Sequence, residues 1–358
     1  MPWAIAWHIL CVVGLLLVGE ACGQVPPLTE SLSFSPRKGQ RVTLLGPEEA
    51  STAIVTDTTD GFFEKISVAE MSIQMKRPLD ADPDRAQWLR EYKTFLRSDV
   101  SAFSAEEAAK IVDVVNYVSR ICDSVHPNIF PERLQLIKLA EKAYGPSTYY
   151  TRENCIAIPA NALGSDWNYH DFVATMFHEL FHVWARYNPE RRNELYRLIG
   201  FETLPYDRLL MPDTLRRLLL HNPDGVNFAQ KISLRLKDGS SREAIPVIRA
   251  NHYGYKNGQK AFFSYLQFDL YYTEPTIHDG HWRLLTRDDG VSALRQNGDM
   301  ADFFRQIRDN TAYIIHPDEV LADNFSLLMR SIEAPDHIAH LSPEGLQLIR
   351  AIREILAR

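Results

Sequence analysis

Two histidines and a glutamate stand close together in the stretch ATMFHELFHVWARY, residues 174–187. His178 and His182 are four residues apart, so on a helix their imidazoles lie on one face, one turn apart. Two neutral imidazole nitrogens at that separation can bind one Zn²⁺ ion. Glu179 lies about 100° further round the helix, too far to be a third ligand on that face but close enough to reach a metal-bound water. The H-E-x-x-H spacing therefore predicts a zinc site with a carboxylate base beside it.

The helix that would carry this motif is predicted to be buried. Nearly all the remaining side chains from Phe172 to Trp184 are apolar, which is typical of a core helix. Buried imidazoles and carboxylates without partners cost on the order of several kcal/mol, and a metal ion would supply a partner. The alternative is a core helix whose two histidines are satisfied by hydrogen bonds.

A catalytic zinc site also needs a third protein ligand and an open position for water. The extension H-x-x-G-x-x-H is absent, because Ala185 and Asn188 stand where it has glycine and histidine. The third ligand must therefore come from a distant segment, and the best candidate lies in YIIHPDEVLADNF, residues 313–325. On a helix that starts there, Glu319 could bind the metal, and Asp323 could accept the outer N–H of a ligating histidine. The other candidates for the third ligand are Glu202, His252, His316 and Asp323 itself.

The two segments HELFH and EVLADNF together resemble the gluzincin group of zincin metallopeptidases. Thermolysin combines H-E-x-x-H with E-x-x-x-D, and the anthrax lethal factor type combines it with E-x-x-A-E-x-F. The positions that match are Glu319, Ala322, Asp323 and Phe325. The resemblance covers about a third of the chain. The segment between the two motifs is much longer than in thermolysin.

This resemblance implies a zincin-like catalytic domain that cleaves peptides or proteins. It implies that Zn²⁺ is bound by His178, His182 and Glu319. The zinc would lower the pKa of its bound water, and Glu179 would take that proton and pass it to the leaving amine.

Two residues just upstream of Glu319 are candidates for stabilising the oxyanion. Family sites often place a tyrosine or histidine there, and Tyr313 and His316 match that placement. For Tyr313 the alternative is core packing, and for His316 it is a surface position ahead of a helix.

A strand that precedes the predicted zinc helix is the candidate substrate-binding edge. In zincins such an edge strand pairs with an extended substrate, and STYYTRENCIAIPANAL, residues 147–163, fits that role. The same residues fit an ordinary sheet strand equally well.

The N-terminus reads as an export signal. Residues 1–23 contain a short apolar stretch followed by small residues, which predicts a signal peptide cleaved after Gly23 and an exported, periplasmic or extracellular protein. A lipid anchor at Cys22, a retained anchor and a buried helix are alternatives. No membrane insertion is expected after cleavage.

Net charge and cysteine content bear on the partners of the protein and on its disulfides. The net charge of −7 offers no basic patch, so we expect no nucleic acid as partner. After cleavage two cysteines remain, Cys122 and Cys155. A disulfide and two buried thiols are both possible, since export permits the former.

The remaining patterns predict an α+β fold with an N-terminal sheet and helices. Residues 24–40 read as a linker and 41–358 as one catalytic domain. Strands are predicted at 41–45, 51–57, 65–75, 133–140 and 148–159. Helices are predicted from Asp82, from Ser104 with a capping box to Glu107, over 169–187, from Pro189, and over 299–308, 318–330 and 343–357. Between the two ligand helices, residues 230–273 predict a three-stranded antiparallel insert with turns at Asp238–Gly239 and Asn257–Gly258.

Two hypotheses follow. The first is an exported zinc-dependent peptidase. The second is a catalytically inactive binding protein on a zincin fold, with structural zinc or none. Glu179 argues against the inactive binding protein, because a structural zinc site needs no base beside it.

Overall fold

A computed structural model describes residues 27–164, 167–205, 208–277, 280–295 and 299–358. The predicted signal peptide, residues 1–23, and Cys22 lie outside the described residues. Within the part of the chain that is described, no helix is both long enough and apolar enough to cross a membrane.

The protein is α+β, with helices packed around two sheets. The helices are α1 (Pro47–Ala53), α2 (Phe62–Lys65), α3 (Val68–Met75), α4 (Arg85–Arg97), α5 (Ala105–Val125), α6 (Tyr169–Tyr187), α7 (Pro189–Leu198), α8 (Asp213–Arg216), α9 (Ala301–Ile307), α10 (Pro317–Ser331) and α11 (Pro343–Leu356). The strands are β1 (Leu32–Phe34), β2 (Arg41–Leu44), β3 (Val100–Ser101), β4 (Arg133–Leu139), β5 (Tyr150–Arg152), β6 (Cys155–Pro159), β7 (Phe201–Thr203), β8 (Leu209–Leu210), β9 (Gln230–Arg235), β10 (Ser241–Ala250), β11 (Leu266–Pro275) and β12 (Trp282–Leu284).

The first sheet has the order β1-β2-β4-β6-β5, and β3 pairs with the end of β4. Strands β2, β4 and β6 are parallel, whereas β1, β3 and β5 are antiparallel to their neighbours. Along β4, Leu134 and Leu136 join one hydrophobic cluster, and Ile137 and Leu139 join another. The centre of this sheet is therefore buried on both faces. The segment predicted as one strand, 148–159, forms two, of which β5 is at the edge of this sheet and β6 lies inside it.

Helix α6 crosses the core between α5 and α10. Asn168 caps it by accepting from the backbone N–H groups of His170 and Asp171. Helices α6 and α10 are antiparallel neighbours, because Ser326 donates to the carbonyl of Ala174 near one end while His182 and Asp318 meet near the other. This pairing brings distant parts of the sequence together at the predicted metal site.

Two segments predicted as strands are helices instead. Residues 51–57 contain the end of α1, and residues 65–75 contain α3. Ser67 caps α3 by accepting from the backbone of Glu70, and the helix is buried from Ala69 to Gln74. Local β propensity is a weak preference, and here capping and burial outweigh it.

Two boundaries also differ from the prediction. Leu32–Phe34, placed in the linker, forms β1 and pairs with β2. Helix α4 begins at Arg85 with Asp84 as its cap, so Asp82 lies outside it. The capping box at Ser104 is confirmed.

The predicted antiparallel strands of residues 230–273 are present as β9, β10 and β11. Gly239, with φ of 86°, lies in the turn that joins β9 and β10. These strands form the middle of a second sheet of order β7-β9-β10-β11-β12-β8. The segment is therefore the centre of a larger sheet, whose strands β7–β12 all lie between the two ligand helices in the sequence.

The cysteines Cys122 and Cys155 are both buried and unpaired. Cys155 lies in β6, and its thiol donates to the side-chain oxygen of Gln135, 3.1 Å away. Of the two alternatives, the structure has free thiols.

Candidate metal centre

Three predicted ligands meet where α6 and α10 cross. Nε2 of His178 lies 3.0 Å from Oε2 of Glu319, and Nε2 of His182 lies 3.6 Å from the same oxygen. One potential ligand atom from each residue falls within 4.8 Å of the others. Ligands bonded to a tetrahedral Zn²⁺ at 2.0–2.1 Å are about 3.4 Å apart. Small adjustments would therefore close these three side chains around one ion.

Two buried atoms at this cluster have no hydrogen-bond partner among the described residues. They are Nε2 of His182 and Oε2 of Glu179, whose residues are 1% and 4% exposed. A buried polar atom without a partner costs about 1–3 kcal/mol. A metal bond to His182 would remove that cost, and nitrogen with carboxylate oxygen is a donor set that zinc accepts. The residues present therefore fit a zinc ion.

His178 is oriented by Asp323, as the sequence predicted for that residue. Its Nδ1 lies 2.8 Å from Oδ1 of Asp323. The other oxygen of Asp323 accepts from the hydroxyl of Thr311. Asp323 accepts a hydrogen bond from Nδ1–H, so Nε2, which points toward Glu319, is the ring nitrogen that could bind a metal once it has lost its proton.

His182 has an equivalent partner that the sequence reasoning missed. Its Nδ1 lies 3.4 Å from Oδ2 of Asp318, and Oδ1 of Asp318 accepts from the hydroxyl of Tyr196 at 2.7 Å. All three residues are buried. The available signal was the acidic pair at positions 318 and 319, which points to a second carboxylate on the same helical turn.

Glu319 is held by a loop residue that no sequence pattern indicated. Asn222, 5% exposed, donates from Nδ2 to Oε1 of Glu319. Oε2 of Glu319 is thereby left facing both imidazoles. The preceding residue, His221, is fixed in turn, because its backbone N–H and Nδ1 both lie 2.9 Å from the carboxylate of Glu70.

The charges in the cluster shift one another's pKa values. Burial alone would lower the pKa of His178, but hydrogen bonds to Asp323 and Glu319 raise it to about 10. Burial alone would raise the pKa of Glu319, but His182 and His178 hold it well below its usual range. Protons on the imidazoles thus balance the carboxylates in the metal-free protein, and a divalent cation would displace them.

A cavity of about 700 Å³ opens at the cluster, and His178, Glu179 and Glu319 line it. Tyr313 also lines it, 41% exposed, with its ring stacked on that of His178 at a centroid distance of 6.0 Å. Phe263, between β10 and β11, forms part of the wall. The loop that joins β10 and β11 therefore helps to shape the cavity.

His316 does not face this cavity, and the oxyanion role expected for it lacks support. It is 4% exposed, so it is not a surface residue either. Its Nδ1 accepts from the backbone of Asp318 at 3.1 Å, and its Nε2 lies 3.0 Å from the carbonyl of Asn227. Its position is that of the cap of α10.

The other candidates for the third ligand also lie elsewhere. Glu202 is exposed on β7 and pairs with Lys231 at 3.0 Å. His252 is exposed beyond the end of β10. Within the described ranges, His178, His182 and Glu319 are the group that metal-ligand geometry brings together.

Comparison with known proteins assigns no family. No protein-family model, curated protein or solved structure matches this chain. Function must therefore be inferred from the geometry of the described residues.

Proposed function

We propose that the protein is a zinc-dependent peptidase of the gluzincin type, with a zincin-like catalytic domain. One observation carries the proposal: ligand atoms of His178, His182 and Glu319 lie within 4.8 Å of one another although the chain separates the first and last by 141 positions. When bound, zinc would act as a Lewis acid and lower the pKa of a coordinated water.

Glu179 is suited to move the proton in this reaction. Burial, with a further contribution from the charge of Asp224, raises the pKa of Glu179 to about 8. A carboxylate with a pKa near the working pH can accept a proton from water and return it to a leaving amine. Its Oε2 has no competing partner among the described residues, and the side chain lines the cavity.

Tyr313 is suited to donate a hydrogen bond to a developing oxyanion. The negative charge of Glu319, with burial second, raises the pKa of Tyr313, so its hydroxyl keeps its proton near neutral pH. It lies in the cavity beside His178. Pro146–Tyr149, the residues just before edge strand β5, also line the cavity, and an extended peptide could lie along them. Export through residues 1–23 remains a prediction.

Zinc content and cleavage of a mixed peptide library test this proposal. We expect E179Q to bind as much zinc as the wild type and to lose roughly 10²–10⁴-fold in turnover, because only the base is removed. E319A should lose most of both the zinc and the activity. E354Q, a matched change at an exposed position of α11, should behave as wild type.

Two outcomes would contradict the proposal at different points. Normal zinc binding by E319A would show that Glu319 is not a ligand. A zinc-loaded wild type that cleaves no peptide in the library would favour the inactive binding protein.

A further inference from the structure

One face of α10 forms a continuous wall of the cavity. The residues of this helix that line it follow one another at the spacing of a single helix face, and they are Glu319, Asp323, Ser326, Leu327 and Arg330. The hydroxyl of Ser326 donates to the carbonyl of Ala174 on α6 at 2.8 Å, and Ala174 also lines the cavity. Arg330 lies eleven residues after Glu319, which corresponds to about 16 Å along the helix axis.

The acidic side chains that line the cavity gather around the metal cluster. They are Glu179, Asp224, Glu319 and Asp323. Asp323 contacts His178, and the charges of Asp224 and Glu319 both act on Glu179. Arg330 is the one lysine or arginine among the described residues of the lining, and it lies three turns of α10 away from Glu319. Positive charge from the protein therefore meets a substrate at some distance from the bond that is cleaved.

The half-buried guanidinium of Arg330 has no acidic partner. Its Nη2 lies 3.2 Å from Nδ1 of His337, and no carboxylate oxygen of a described residue lies within ion-pair distance of it. Glu333, the next acidic residue along the chain, is engaged elsewhere, because both of its carboxylate oxygens accept from Arg120. A guanidinium carries several N–H donors in one plane. Most of those of Arg330 are left for a ligand.

His337 holds the guanidinium by accepting one of its N–H groups. Loss of hydration and the positive charges of Arg330 and His170 lower the pKa of His337, and the charge of Asp336 only partly offsets them. The ring is therefore neutral at neutral pH, and its Nδ1 can accept from Nη2 of Arg330. A planar guanidinium oriented in this way matches a carboxylate, with which it can form two parallel hydrogen bonds.

We propose that Arg330 binds a carboxylate of the peptide substrate, so that the enzyme prefers substrates with an acidic group at a set distance from the cleaved bond. This inference rests on the proposed peptidase function. An extended peptide rises by about 3.3 Å per residue, so 16 Å corresponds to about five residues. The reach of an arginine side chain widens this to roughly three to seven residues. The carboxylate belongs either to an aspartate or glutamate side chain or to the carboxyl terminus of the substrate.

The test measures kcat/KM of the zinc-loaded protein for variants of one peptide that it cleaves in the mixed library. In one series, glutamate or glutamine replaces each position in turn, with the carboxyl terminus amidated. In the other, peptides that end at different distances from the cleaved bond carry either a free carboxyl terminus or an amide. We expect the carboxylate form to be preferred by about 10-fold in one distance window, the scale of a hydrogen bond to a charged group. The two series separate the two sources of the carboxylate.

The variants test whether Arg330 is the residue that recognises the acid. R330Q keeps a polar side chain but removes the charge, so its preference for the carboxylate form should fall to nearly none, with zinc content unchanged. R330K should retain part of the preference. R330E should instead prefer lysine over glutamine at the same peptide position. R350Q, a matched change at an exposed position of α11, should keep the wild-type preference.

Equal kcat/KM for the carboxylate and amide forms at every position would overturn the inference and leave the peptidase function intact. A preference for the carboxylate that persists in R330Q would also overturn it, because another residue would then recognise the acid. Absence of cleavage of every peptide would refute both the function and the inference. The comparison with the wild type alone can overturn the inference, so poor folding of a variant does not remove the test.

Discussion

The two carboxylate oxygens of Glu319 have different partners. Oε1 accepts from Asn222, and Oε2 faces the imidazoles of His178 and His182. Because the Asn222 amide holds Oε1, Oε2 is the oxygen of Glu319 that is left to bind a metal. Asn222 is therefore a positioning residue in this site, comparable to the outer partners of ligating histidines.

Removing this amide should weaken metal binding without unfolding the protein. We predict that N222A lowers zinc affinity by about 10–100-fold, the range typical of lost outer partners. Competition with a chromophoric chelator measures the affinity directly. N128A, a change at an exposed asparagine, is the control. Wild-type affinity in N222A would mean that the contact with Glu319 does not position the ligand.

At the scale of elements, the turn between β5 and β6 ties the edge strand to its surroundings. Glu153 in this turn accepts from the backbone and hydroxyl groups of Thr58 and Thr59 and from the hydroxyl of Tyr187. Burial would raise the pKa of Glu153, but these hydrogen bonds outweigh it and lower the pKa to about 2. The charged form is thus favoured in the folded state.

The lowered pKa of Glu153 in the folded state predicts that E153Q loses stability in a pH-dependent way. An unfolded glutamate has a pKa of about 4.3, so the folded state gains stability above that pH and loses it as the pH falls toward 2. Because Glu153 is partly exposed, we expect a reduction of only about 1 kcal/mol in the free energy of unfolding at pH 7. Urea denaturation at pH 7 and pH 3 measures it, with E354Q as control. An equal loss at both pH values would contradict the assigned cause.

Elements whose side chains follow a clear helical period could be predicted from the sequence. Helix α6 begins at Tyr169 and ends at Tyr187, as its apolar spacing and flanking residues indicate. The same periodicity placed Asp323 one turn after Glu319. The residues of α3 were predicted to form a strand, because β-branched side chains occur among them. The cap at Ser67 is the feature that indicates a helix there.

The residues that hold the site from loops could not be predicted in this way. Asn222 and Asp224 reach the cluster only because the loop between α8 and β9 packs against α3, where Glu70 binds His221. No period or short motif encodes such a contact, since it depends on the meeting of segments more than 140 positions apart. The position of His316 could not be predicted for a related reason. Both of its ring nitrogens have backbone partners, at the start of α10 and at Asn227, and these contacts hold the ring away from the cavity.

At the scale of the whole molecule, the candidate metal site joins two halves of the chain. Helices α6 and α10 are separated in sequence by the entire second sheet, yet they pack side by side. Near the cluster their contact consists largely of charged and polar groups, including His178, His182, Asp318 and Glu319. A metal bound there would stabilise the packing of these distant segments as well as supply chemistry.

Removing the metal should therefore lower the stability of the whole fold. A ligand present at a thousand times its dissociation constant stabilises the folded state by about 4 kcal/mol. We predict that a chelator such as EDTA lowers the thermal midpoint by several degrees, on the order of 2 °C or more for each kcal/mol lost. Added zinc should restore the midpoint. Scanning calorimetry of metal-loaded and stripped protein measures the change.

E319A is the control for this prediction. Its thermal midpoint should change with neither EDTA nor zinc, because the variant lacks one of the proposed ligands. A chelator effect of the same size in E319A would place the stabilising metal somewhere other than between α6 and α10.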